Sequence, residues 1–385
     1  MLQLTPQNTR RLVRAARRHG MSIATLAEAA ATSFGDSTAL VTATKRYSFR
    51  ELWNTAESLA AGLYLHVLGR QPRMIVVSSE GEDMILPLLA AHRLGLDVMP
   101  INAATHAEVV PHVVPRDALL IHDGEKPDWH TGPAISASRV SELAQSSGTS
   151  LGRTRRRSRI ILLSSGRTGS PRAHVTRPVG YGGVRQLASL HRRIGIERGD
   201  SVLACSPLHH GHGLQLLASC LFTGAQLVYA PHATAPERLD LMRNEGVTLA
   251  SGIPSHFSDM ADILESSGAE PPSLRRVVCS AEPLTEALVS RLTDIWGPVV
   301  LNAYAMTETG TVTVASPEQV AANPGTVGFP LSGVEIGIVG EPIHADAEGQ
   351  IWVRGGNRTV ITNDYGRVID RQLYVDSPAV NRELT

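Results

Sequence analysis

The sequence predicts an α/β fold of parallel strands with helices on both faces, followed by a small β-rich lobe. Three observations carry this expectation. Short apolar runs alternate with stretches of helical period from residue 38 to residue 304, the βαβ pattern of a parallel sheet. Four of those runs end in turns rich in glycine, serine or histidine, at 164–172, 207–213, 280–283 and 304–308. Strand C-termini converge on the ligand crevice of an open α/β sheet, so these turns are expected to share one rim. From Gly325 the pattern shifts to short alternating runs at 334–339, 349–354 and 372–375, which reads as the β-rich lobe.

A chain of 385 residues with 42% hydrophobic content has ample material for a large core in two or three lobes. Lys plus Arg and Asp plus Glu both number 36, and this balance argues against a dedicated nucleic-acid binder. Nearly all the positive charge is arginine, with lysine only at Lys45 and Lys126. Cys205, Cys220 and Cys279 are widely spaced in apolar runs, as buried free thiols are. No apolar run approaches the ~18 residues of a membrane span, and the N-terminus lacks the apolar core of a signal peptide. A reducing cytoplasm is the expected location.

Taken in order, residues 9–18 form a basic helix, read as a solvated arginine face, with a membrane-surface or transit-peptide role as alternatives. An amphipathic helix covers 23–30, and short strands at 38–41 and 46–49 flank a turn. Ser48 and Glu51 have the spacing of a capping box, opening a helix with Leu52, Ala56, Leu59 and Leu63 on one face. A strand at 74–78, a helix over 84–94 and a strand at 97–101 make a βαβ unit. Residues 106–158 are weakly patterned, with a strand at 118–121 and a polar loop over 146–157. Helices at 184–191 and after Leu214, and strands at 200–205 and 226–230, come next. A helix then leads to a strand near 248–252, followed by the strand 276–280, the helix 285–296 and the strand 299–304.

The turn at 164–172 reads Ser164-Ser165-Gly166-Arg167-Thr168-Gly169-Ser170-Pro171-Arg172 after the apolar run 160–163. Small residues let backbone N–H groups approach an anion, hydroxyls add donors, and a cation offsets charge. The Walker spacing is absent. Taken alone, this turn is equally a glycine-rich surface turn. Likewise Glu308 alone reads as a helix N-terminal carboxylate, Tyr304 as core packing and Asp364 as a turn residue. His209, His210 and His212 lack a carboxylate or cysteine at metal-ligand spacing.

Together these segments resemble the adenylate-forming (AMP-binding) superfamily, most of all the large N-terminal domain of fatty acyl-CoA synthetases. The turn at 164–172 is similar to its signature loop, and Ala303-Tyr304-Ala305-Met306-Thr307-Glu308-Thr309 to its Tyr-Gly-x-Thr-Glu motif. The segment 207–214 resembles its histidine motif, 280–284 its adenine turn, 325–330 and 349–355 later landmarks, and 362–366 its Thr-Gly-Asp ribose motif. The resemblance implies a large domain over 1–376, with α/β subdomains at about 1–180 and 181–324 and a small β-barrel lobe at 325–376. It implies a ligase that activates a carboxylic acid, most like a fatty acid, with ATP and Mg²⁺, and passes the acyl group to a thiol, usually that of coenzyme A. By resemblance, Ser165, Gly166, Thr168 and Gly169 cradle the β/γ-phosphates, Ser164 belongs to the same ATP-binding loop and Arg172 supplies the cation. Thr307 contacts the α-phosphate, Glu308 holds the metal and Asp364 takes the ribose hydroxyls. Ala281, Glu282, Pro283 and Tyr304 enclose adenine, and His210, Gly211 and Ala303 line the acyl pocket.

The sequence also departs from the family pattern. Arg167 stands for Thr, Arg172-Ala173 for Lys-Gly, Ala305 for Gly and Asn363 for Gly. Arg172 is a planar fork where the family has a compact ammonium. Family members continue through a Gly-Arg hinge into a C-terminal domain that carries an adenylation lysine. Here residues 377–385 read as a hinge remnant, and no lysine follows Lys126. The alternative expectations are a catalytically impaired nucleotide- or acyl-binding homologue acting with a partner, and an adenylating half served by a separate C-terminal-domain chain or by a homodimer.

Overall fold

A computed structural model describes residues 6–67, 74–78, 82–102, 113–115, 118–123, 125–145, 151–154, 156–163, 173–175, 181–343, 345–355 and 358–376. The chain divides into two compact units, of which the first takes Met1–Pro178, Glu197–Gly199 and Pro207–Tyr229. Two helices, Pro6–His19 and Ile23–Phe34, lead into the antiparallel pair β1 (Thr38–Val41) and β2 (Arg46–Ser48). The helix Phe49–Val67 opens on the predicted box: Ser48 N donates to Glu51 Oε2 (2.8 Å), and Glu51 N donates to Ser48 Oγ (3.1 Å). Its stripe of Leu52, Ala56, Leu59 and Leu63 is buried as the helical period requires.

The βαβ prediction holds in β3 (Met74–Ser78), the helix Glu82–Leu94 and β4 (Asp97–Pro100). With β5 (Leu119–His122) and β6 (Ala134–Ser136) they give a parallel sheet in the order β4-β3-β5-β6. β6 and the helix Ala137–Gln145 lie in the weakly patterned stretch 106–158, between the expected strand at 118–121 and the polar loop. β6 has three residues, and the helix buries only Val140 and Leu143, too little for a period to show. β7 (Ile161–Leu163) pairs antiparallel with β8 (Ala173–Val175). β9 (Ser201–Ala204) belongs to the second unit, whereas β10 (Gln226–Tyr229), after the helix Gly211–Thr223, pairs parallel with β1 in the first.

The polar segment expected as an exposed loop is irregular and exposed at Gly152, Arg153, Arg156 and Arg157, yet its backbone is fastened. Arg93, with only 3% of its side chain exposed, pairs with Glu57 (2.7 Å) and donates to the carbonyls of Leu151 (2.8 Å) and Gly152 (3.0 Å). Asp97 accepts from Arg156 (2.8 Å) and Arg159 (2.6 Å). Burial alone would raise the Asp97 carboxyl, but the Arg159 hydrogen bond and the two guanidinium charges together hold it below its ordinary range.

The second unit comprises Val179–Ile196, Asp200–Ser206 and Ala230–Thr385. Its centre is a parallel run in the order β9, β11 (Leu249–Gly252), β12 (Arg276–Ser280) and β13 (Val300–Met306). β9 and β11 are buried along their whole length, as strands covered on both faces are. The helices Ala235–Asn244, Pro254–Ser267 and Glu286–Trp296 alternate with these strands. Antiparallel strands follow: β14 (Gly310–Ala315), β15 (Thr326–Pro330), β16 (Val334–Ile338), β17 (Ala347–Gly355), β18 (Arg358–Ile369) and β19 (Gln372–Val375). They run β13-β14-β15-β19-β18-β17-β16. β18 was not anticipated as a strand, because a bulge at 362–364 breaks its alternation.

The three cysteines are free and buried, as expected. Burial pushes the Cys205 thiol up to about 11. Among the described residues, no helix is long and apolar enough to cross a membrane.

Candidate active site

Parallel neighbours β12 and β13 stand in register, Ser280 beside Ala303, so the turn after β12 begins level with Tyr304, while β13 runs on to Met306. The first turn holds Ala281 at φ 70°, the left-handed region that costs a non-glycine residue about 1–2 kcal/mol. A residue held there needs support from its surroundings. Glu282 gives it: its carboxylate accepts from Ser255 N (3.1 Å) and Ser255 Oγ (3.2 Å), at the first turn of the helix Pro254–Ser267. That helix end favours a negative charge. Ala281 and Pro283 are exposed on either side.

Beyond β13 the chain makes a hairpin. Met306 pairs with Gly310, so Thr307, Glu308 and Thr309 form its three-residue tip, closed by Gly310 at φ 72°. Glu308 therefore sits on a β-hairpin, and its reading as a helix N-terminal carboxylate does not hold. Two side chains from the helix Tyr181–Ile194 brace this hairpin. Gln186 Nε2 donates to the carbonyls of Thr309 (2.9 Å) and Thr311 (2.7 Å). Arg193 donates to those of Val314 (2.8 Å) and Phe329 (2.8 Å), joining β14 to β15.

The bulge in β18 brings in the third element. Gln350 pairs with Tyr365 and Trp352 with Ile361, so Thr362, Asn363 and Asp364 lie opposite the single residue Ile351. Thr362 Oγ1 donates to Ile351 O (2.9 Å) and accepts from Asp364 N (3.0 Å), which fixes the bulge. Asp364 Oδ2 then accepts the Tyr304 hydroxyl at 2.6 Å. Burial, and next the Asp364 charge, raise the phenol well above its ordinary pKa, so Tyr304 stays protonated and is the donor. Gly366 ends the motif because a Cβ there would lie 2.1 Å from the Tyr374 carbonyl of β19. Gly366→Ala is expected to lower the unfolding free energy by about 3 kcal/mol, read as a shifted denaturant midpoint.

The histidine turn belongs to the first unit. The His209 and His210 rings stand 4.3 Å apart between centroids, and Leu208 N donates to Tyr229 Oη (3.1 Å). Burial lowers the His210 pKa, and burial with the His210 charge lowers His212 to about 4, so both rings are neutral at pH 7. Among the described residues, no group of three or more His, Cys, Asp or Glu is placed to hold a metal ion.

Of the residues singled out in the sequence, Ala281, Glu282, Pro283, Tyr304, Thr307, Glu308 and Asp364 fall in the second unit, at the ends of β12 and β13 and in the β18 bulge. Ala303 is buried on β13 of that unit, and His210 and Gly211 belong to the first. Ser164, Ser165, Gly166, Arg167, Thr168, Gly169 and Arg172 lie outside the described residues. Gln186 and Arg193 were not foreseen. Their partners are backbone carbonyls, which leave no mark in a sequence.

The sequence model described as "AMP-binding enzyme" matches residues 27–360. A 2-succinylbenzoate–CoA ligase of Bacillus thuringiensis subsp. konkukian is 25% identical over 342 residues, covering 84% of this chain and 67% of that protein. Among solved structures, a Mycobacterium tuberculosis fatty acyl CoA synthetase superposes with a TM-score of 0.81 at 18% identity, covering 94% of this chain and 79% of the other. The O-succinylbenzoate coenzyme A synthetase of Bacillus subtilis, solved with AMP, gives 0.80 at 21% identity, covering 91% and 78%. These structural likenesses establish the α/β fold of the large domain.

Proposed function

The chain belongs to the AMP-binding enzyme family, and we propose that it activates a carboxylic acid, with fatty acids as the favoured class, by forming an acyl-adenylate. A carboxylate oxygen attacks the α-phosphorus of ATP. The bond from that phosphorus to the bridging oxygen breaks, and pyrophosphate leaves with the electron pair. In a second step the sulfur of a thiol, with coenzyme A as the preferred acceptor, attacks the acyl carbonyl. AMP leaves, and the thiol proton goes to solvent.

The observation that carries the reading is the Tyr304–Asp364 hydrogen bond beside the strained Ala281 turn. It joins a protonated aromatic on β13 to a carboxylate in the β18 bulge, and the Ala281 turn follows the strand beside β13; an adenine ring and a ribose diol require such groups. In this reading Asp364 accepts from the ribose hydroxyls, and Tyr304 stacks on adenine against Ala281, Glu282 and Pro283. Thr307 donates to the α-phosphate, while Ser164, Ser165, Gly166, Thr168, Gly169 and Arg172 hold the outer phosphates. His210, Gly211 and Ala303 serve the acyl group, and the two neutral imidazoles suit an apolar chain better than cations would.

The donor set also fits magnesium. Mg²⁺ takes one or two carboxylates together with substrate phosphates rather than a protein cage, and Glu308 offers a carboxylate on a braced hairpin. When bound, the ion neutralises charge on the phosphates; the step itself is mostly positioning and electrostatics.

The test is pyrophosphate release with ATP, Mg²⁺ and a panel of short, long and aromatic carboxylic acids, trapped with hydroxylamine. Release and hydroxamate formation with one class of acid are expected. ATP binding with no release for any acid would sink the enzyme reading and leave a nucleotide-binding homologue.

A further inference from the structure

We propose that the first unit carries a second anion site, an arginine-lined concavity that takes a small ligand bearing several phosphate groups. The concavity has a volume of about 700 Å³ and is lined by Arg10, Arg14, Arg17, Arg18 and Arg153, with Val13. The helical period puts Arg10, Arg14, Arg17 and Arg18 on one face of the helix Pro6–His19, which contains no acidic residue. Like charges three and four residues apart destabilise a helix by a few tenths of a kcal/mol per pair. A bound polyanion would offset this repulsion with attraction of its own to each guanidinium.

Placement of the fifth guanidinium makes this more than a basic helix face. Arg153 is held between two anchored neighbours. Thr154 N donates to Arg18 O (3.1 Å), tying the segment to the helix, and Thr154 Oγ1 donates to Arg93 O (2.7 Å). On the other side, the buried Arg93 holds the Gly152 carbonyl (3.0 Å). Arg18 is paired with Glu28 at 2.7 Å. Among the described residues, no carboxylate lies in ion-pair range of Arg10, Arg14, Arg17 or Arg153. Four forked donors without carboxylate partners, around one hollow, match the geometry of phosphate oxygens.

Placement of Arg153 decides between two sources of phosphate. A bilayer would meet the helix face alone, whereas Arg153 adds a guanidinium from a separate, anchored segment, as a discrete ligand touched from two elements requires. The free polyphosphate group is therefore the ligand class assigned. The site stands apart from the adenylation reading and does not depend on it.

The experiment is calorimetric titration of inorganic tripolyphosphate into the full chain at low salt without Mg²⁺, alongside flotation with phosphatidylserine vesicles. A saturable site is expected, weakened at least about tenfold by Arg14→Ala and by Arg153→Ala, and less by Arg153→Lys, which keeps the charge but loses the fork. These side chains are exposed, so melting temperatures should stay unchanged and separate lost binding from misfolding. Binding that both alanine variants leave intact would overturn the site. So would no binding at all. Arginine-dependent vesicle flotation without tripolyphosphate binding would overturn the small-ligand assignment in favour of a lipid surface.

Discussion

Glu308→Gln is expected to lower acid-dependent pyrophosphate release by about 10²–10³-fold, the loss typical of one preorganised electrostatic group, with a melting temperature like that of the parent. Gln keeps the shape of Glu, removes the charge and replaces one acceptor oxygen with an NH2 donor. Glu308 lies at the tip of a three-residue hairpin whose carbonyls at Thr309 and Thr311 are held by Gln186. The backbone should therefore be indifferent to the change. Because the proposed role is to hold Mg²⁺ against substrate phosphates, the Mg²⁺ concentration giving half-maximal rate should rise in the same variant. An unaltered rate would remove this carboxylate from the reaction. A lower rate at an unaltered Mg²⁺ requirement would keep it in the site but not on the metal.

Asp364→Asn should act differently, on nucleotide affinity. A hydrogen bond to a charged acceptor contributes about 1.5–3 kcal/mol, so a rise of about 10–10²-fold in KM for ATP is expected, with kcat less affected. Tyr304→Phe is the companion measurement. It deletes the 2.6 Å donor to Asp364 but keeps the ring. If Asp364 receives the ribose and Tyr304 only stacks and orients, Phe should cost several-fold less than Asn. Equal losses would mean that the pair works by fixing the β18 bulge, and both variants would then also melt early.

Much of this architecture was legible in the residues, for identifiable reasons. The Ser48–Glu51 box, the Leu52–Ala56–Leu59–Leu63 stripe and the strand at 276–280 are local signals, and each is formed as read. The turns after β12 and β13 could be paired because parallel strands bring their C-termini side by side. What escaped depends on tertiary partners. β18 is broken by its own bulge, and β6 with its following helix buries too few side chains to set a period. The segment near Arg153 reads as a solvated loop because it is polar, yet Arg93 and Asp97 fasten it from a helix and a strand far away in sequence. At the site, the type of residue at Glu308 was visible, but its setting was not. A carboxylate after a strand suits a helix start as well as a hairpin tip, and only the pairing of Met306 with Gly310 separates the two.

The most direct test of the central claim is exchange of labelled pyrophosphate into ATP without coenzyme A or any other thiol. The reaction runs only if an acyl-adenylate forms reversibly on the protein. Label should enter ATP when a productive acid is present and not when it is omitted, and the signal should fall in Glu308→Gln. Exchange that ignores the acid, or none with any acid while ATP still binds, would contradict the proposal that this chain makes an acyl-adenylate.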